Sequence, residues 1–114
     1  MCVRLDIGMY VQILWYKTAV DFNKEESLKS LKPIDEVKEL NEGIAYKLVL
    51  LSEDELEYAV ILFWQDRASM LKVFPRYATS AEIYNFLQSV DGAHFEYKGY
   101  HVVDQWPEVQ QMKF

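Results

Sequence analysis

Every odd-numbered position from residue 3 to residue 15 is apolar. Val3, Leu5, Ile7, Met9, Val11, Ile13 and Trp15 form one set, with Arg4, Asp6, Gly8, Tyr10 and Gln12 between them. Side chains of a strand point to opposite faces with period two, so a half-buried β-strand is expected, its odd-numbered residues on a core. At about 3.3 Å per residue this ribbon would exceed ~40 Å, so a bend or bulge is expected near Asp6–Gly8.

A polar, helix-forming stretch follows. Asn23 and Glu26 have capping spacing, Leu28 and Leu31 start a thin apolar stripe, and Ile34, Val37 and Leu40 continue it to a stop at Asn41-Glu42-Gly43. Pro33 lacks an N–H and is expected to begin a new turn rather than sit inside a helix. Residues 44–52 and 58–64 read as an antiparallel hairpin around the acidic turn Glu53-Asp54-Glu55-Leu56-Glu57. The second of these strands is apolar throughout, so it is expected at the sheet centre with both faces covered. A third strand is expected from Ser69 to Phe74, stopped by Pro75.

Thr79 and Glu82 have capping-box spacing before Ile83, Phe86, Leu87 and Val90, with Asp91-Gly92 as the stop. The chain is then expected to close with a hairpin, His94–Tyr97 against Tyr100–Val103, turning at Lys98-Gly99. The order β-α-β-β-β-α-β-β over residues 1–114 describes a single α+β domain, an antiparallel-dominated curved sheet with helices packed on it.

The 114 residues suffice for one core, and the single cysteine, Cys2, forbids an internal disulfide and suits a reducing, cytoplasmic setting. No apolar run approaches the roughly 20 residues that span a bilayer, so no membrane partner is expected. Charge is lopsided. Residues 21–57 carry eleven acidic and five basic side chains, which accounts for the whole net charge of −6. No basic cluster is present to neutralise phosphates, so direct nucleic-acid binding is not expected.

His94, Glu96 and His101 are the one grouping with ligand-like chemistry. A two-residue turn at Lys98-Gly99 would place them on one face of the ribbon. The preferred reading is a polar outer face rather than a metal site, and no motif calls for a cofactor. Cys2 has no histidine near it, no Gly-x-Ser-x-Gly elbow occurs, and the four isolated glycines build no phosphate loop, so catalysis is not expected.

What remains is a motif-poor acidic chain rich in aromatics. The expected function is that of a small inhibitor or immunity-type antagonist of a protein partner with a basic surface. Glu25, Glu26, Asp35, Glu36, Glu39, Glu53, Asp54, Glu55 and Glu57 would steer that partner, and Tyr97, Tyr100 and Trp106 would anchor it. Two alternatives come from other classes. One is a small-molecule-binding or minor enzymatic domain, which needs a cavity of about 300 Å³ or more lined by residues such as Trp15, Trp64 and Phe86. The other is a homodimeric structural protein, joined through a long alternating strand left at a sheet edge.

Overall fold

A computed structural model describes residues 8–106. Cys2 and the first part of the alternating segment lie outside the described residues. Within them the order is β1 (Tyr10–Thr18), α1 (Lys24–Asp35), α2 (Lys38–Asn41), β2 (Ile44–Leu51), β3 (Tyr58–Trp64), α3 (Arg67–Val73), a 3₁₀ segment (Phe74–Thr79), α4 (Ala81–Leu87) and β4 (Val90–His101). The four strands form one antiparallel sheet in the order β2-β3-β1-β4. The domain is α+β, with its helices on one face of that sheet.

The 44–51 and 58–64 strands form where expected, joined through a turn in which the Asp54 carboxylate accepts from Ser52 Oγ (2.6 Å) and from the Leu56 N–H (3.1 Å). Asn23 caps α1 by accepting from the Glu26 N–H at 2.9 Å. Beyond these elements the chain departs from the sequence expectations in instructive ways.

Pro33 sits inside α1, two residues before its end. There its missing N–H breaks a single bond of the last turn, a small loss for a helix about to stop. The stretch expected as a third strand is helix α3. Asp66 accepts from the Ser69 N–H at 2.7 Å, and Met70 and Val73, three apart, are its buried residues. A strong cap and a three-residue apolar step outweigh a short alternation. In α4 the cap is Ser80 rather than Thr79, with Ser80 Oγ accepting from the Ile83 N–H at 3.2 Å.

The expected C-terminal hairpin is one continuous strand, β4. Gly99 does not turn the chain. It lies opposite Gln12, and the ring of Tyr10 crosses it so closely that a Cβ there would collide with the phenol. The glycine supplies space for an aromatic ring, not a left-handed backbone; Gly8 and Gly43 are the described glycines with positive φ.

The face of β1 is also inverted relative to expectation. Gln12 and Tyr16 are buried beneath the helices, whereas Val11, Ile13 and Trp15 lie on the opposite face. Alternation identifies a two-faced strand without saying which face the helices cover. β3 repeats the pattern: Tyr58, Val60, Leu62 and Trp64 point to the helices, and Ala59, Ile61 and Phe63 point away, so one face of this strand is covered rather than both. β1 is also interior, paired to β3 and β4, so it offers no free edge for pairing with a second copy.

Candidate functional site

The core gathers Tyr16, Ile34, Tyr58, Val60, Leu62, Trp64, Val73 and Phe86 between the sheet and the helices. Tyr16 anchors it, stacked on Tyr58 at a ring separation of 5.2 Å and edge-on to Phe86 at the same distance. Its hydroxyl and that of Ser27 are both buried without completing a hydrogen bond. Burial pushes the Tyr16 phenol well above its ordinary range.

Packing is incomplete on the helical side. A cavity of about 490 Å³ opens between the layers, a volume in the range of pockets that hold small molecules. Its floor is Leu14 and Tyr16 of β1, Val60 and Leu62 of β3, and Phe95 of β4. Leu31 and Ile34 of α1 wall one side, and Ile83 and Phe86 of α4 with Phe74 and Tyr77 of the 3₁₀ segment wall the other. Tyr77 is pinned by donating to the Leu40 carbonyl at 3.0 Å. Burial first, and then the charge of Asp35, raise its phenol to about 12.

The charged groups of the lining are Lys32 and Asp35 near the end of α1 and Lys47 of β2. Lys47 Nζ meets Asp35 Oδ1 at 2.6 Å, with 22% of the lysine side chain exposed. Lys32 has no ion-pair partner among the described residues. An apolar chamber with a charged mouth is what an amphipathic small molecule needs. Phe86 lines it as expected. Trp15 does not, because it points from the other face of the sheet, and Trp64 is fully buried in the core. Lys47, not singled out by sequence reasoning, carried a signal: it is the lone charge in Ile44–Leu51, and its register opposite Leu62 places it on the covered face.

The acidic side chains divide between the two ends of α1, which at 1.5 Å per residue is about 18 Å long. Glu25 and Glu26 occupy the first turn, and Lys24 Nζ reaches Glu55 Oε1 at 3.1 Å, which brings the turn holding Glu53, Asp54 and Glu57 alongside. Asp35 is paired with Lys47, and Glu36 and Glu39 follow at the far end, where Arg76 donates to the Glu39 carbonyl at 2.9 Å. The aromatics expected as anchors also separate. Tyr97 is on the helical face against Phe74, Tyr100 is on the open face beneath Lys98, and Trp106 is almost wholly exposed.

His94 and Glu96 share one face of β4, but His101 points to the other, so the three do not converge. A continuous strand, in place of the hairpin, causes this separation. His94 Nδ1 instead lies 2.7 Å from Asp91 Oδ2, a contact that, with the Ala93 N–H, holds the Asp91 carboxyl below its usual range. Among the described residues no group of three or more His, Cys, Asp or Glu side chains is placed to hold a metal ion. No described helix is long and apolar enough to cross a membrane.

The open face of the sheet is a second surface of note. Val11, Ile13, Trp15, Ile61 and Phe63 lie on it and none joins the core, while Tyr46 and Leu50 of β2 are 38% and 47% exposed. By strand spacing it measures roughly 20 Å along the strands and about 15 Å across.

No protein-family model matches the sequence, and no curated protein matches it. Solved structures do share its fold. SnoaB, a cofactor-independent oxygenase from Streptomyces nogalater, aligns over 89% of this chain and 99% of its own with a TM-score of 0.71 at 10% identity. A dimeric ferredoxin-like protein from an uncultured marine organism aligns over 89% and 93% with a TM-score of 0.68 at 11% identity. A nipsnap family protein of unknown function from Agrobacterium tumefaciens aligns over 91% and 96% with a TM-score of 0.64 at 14% identity. The chain therefore has the ferredoxin-like α+β fold, in which two β-α-β units interleave their strands.

Proposed function

We propose that this domain binds a small, predominantly apolar molecule in the cavity beneath its helices, and that it does so as a homodimer. The observation that carries the reading is the 490 Å³ chamber itself. A well-formed apolar pocket of this size with a few charged groups at one end is where a small molecule is expected to bind. The likeness to SnoaB, a cofactor-independent oxygenase, supports a small-molecule site in this fold. Fluorescence of N-phenyl-1-naphthylamine, a neutral apolar probe, tests it. The probe should brighten and saturate on the protein, and Ala78→Trp, an exposed lining position, should weaken its binding severalfold. Brightening indifferent to Ala78→Trp would overturn the reading.

Dimerisation rests on the open sheet face. An apolar patch of roughly 300 Å² is of the size that often marks an interaction surface, and a second copy of the same face is self-complementary about a two-fold axis. Glu96 and Lys98 face the same way on β4 and carry opposite charges, so such an axis can bring unlike charges together. A structural neighbour is itself described as dimeric and ferredoxin-like.

A basic macromolecular partner is a second reading. The Lys24–Glu55 pair favours it, because it holds the acidic first turn of α1 against the acidic turn after β2. A complex of that kind would weaken steeply with added salt, and a salt-insensitive complex would exclude electrostatic steering.

A further inference from the structure

We infer that the ligand of this cavity is an amphipathic anion, an apolar body carrying one carboxylate or sulfonate-like group that exchanges with Asp35 for Lys47. The inference rests on the small-molecule reading above and specifies its chemistry. The chamber walls are apolar, and their ionisable amines and carboxylate gather at one place, the end of α1 facing β2. There the lining holds two lysines, one of them paired with its single carboxylate, on a molecule whose overall charge is −6. Among the lining side chains the charges sum to one positive, and that excess favours an anion at this point.

The geometry also supplies the exchange. Lys47 stands on the covered face of an edge strand with most of its side chain buried, so its ammonium is held against Asp35 at the cavity lining rather than free in solvent. Asp35, 47% exposed, is the more accessible partner and occupies the place that a ligand anion would take. Lys32, one helical turn before Asp35 and unpaired among the described residues, is placed to take up a second oxygen of the incoming group. The Asp35 carboxylate thus occupies the place the ligand's anion would take, and keeps a largely buried lysine from being left unpaired.

The test uses two probes that differ by one charge, 8-anilino-1-naphthalenesulfonate and N-phenyl-1-naphthylamine, with fluorescence titration of the full chain. The sulfonate should bind about two to five times more tightly than its neutral analogue, the range expected for a partly exposed charge pair. Lys47→Gln should abolish that preference, and Asp35→Asn should increase it, since it removes the competing carboxylate. Ala78→Trp should weaken both probes, which places them in the cavity. Equal affinities in the unaltered protein, or a preference unmoved by Lys47→Gln, would overturn the anion inference while leaving the cavity reading intact. Failure of both probes to respond to Ala78→Trp would overturn the two together.

Discussion

The indole N–H of Trp64 donates to the side-chain carbonyl of Gln12 at 3.2 Å, across paired strands, with the tryptophan fully buried and the glutamine nearly so. One polar group on β1 is thereby made compatible with the core, and the strand can turn its Tyr10-Gln12-Leu14-Tyr16 face to the helices. Replacing Gln12 by Leu leaves a buried donor unpaired. Urea denaturation should show a loss of about 1–3 kcal/mol, the cost of an unsatisfied buried N–H.

Tyr16 and Tyr77 make a contrasting pair. The Tyr16 hydroxyl completes no hydrogen bond, so Tyr16→Phe should leave stability within about 0.5 kcal/mol of the parent or raise it, as removal of an unpaired buried group does. The Tyr77 hydroxyl donates to Leu40, so Tyr77→Phe should cost about 1 kcal/mol. Equal effects in the same denaturation assay would contradict this assignment.

Alkaline pH should act through the same two phenols. Both have folded-state values raised above the ordinary 10.0, Tyr77 to about 12. A raised value favours the protonated form in the folded state. Their contribution is therefore fully present below pH 10 and is lost as pH climbs from there through 12. Phenolate absorbance of the eight tyrosines should show these two ionising last, in step with unfolding measured by circular dichroism.

Gly99 and Tyr10 form a steric pair. Gly99→Ala should destabilise by about 1–3 kcal/mol, as overpacking does, because the new methyl group meets the Tyr10 ring. Adding Tyr10→Ala should make the alanine at 99 nearly neutral. A double-mutant cycle with no coupling would refute the contact.

The open sheet face predicts a dimer near twice 13.5 kDa by light scattering. Ile61→Lys, at the centre of that face opposite Ile13 and Leu48, should yield monomers without loss of secondary structure. A monomer in the parent protein at tens of micromolar would dispose of the interface.

The sequence made some of this legible, for identifiable reasons. The 44–51 and 58–64 strands announced themselves through apolar runs around an acidic turn, and Asn23 through its spacing to Glu26. Both signals are local. The face of β1 was not local: it depends on Trp64, fifty-two residues away, reaching Gln12. Gly99 read as a turn because a glycine that makes room for a ring and one that bends the chain look alike in sequence. The cavity was least legible, since a lining of Leu14, Val60 and Phe86 has the composition of any solid core. What separates a cavity from a core is whether two layers meet, and Lys47 was the one residue whose charge hinted that they do not.

The most direct measurement is a crystal structure of the protein with N-phenyl-1-naphthylamine. The account predicts the naphthalene between the sheet and the helices, against Leu14 and Val60 on one side and Ile83 and Phe86 on the other, with the Gln12–Trp64 bond undisturbed. A probe seated on the Ile13–Phe63 face, with α1 and α4 closed onto the sheet, would contradict it.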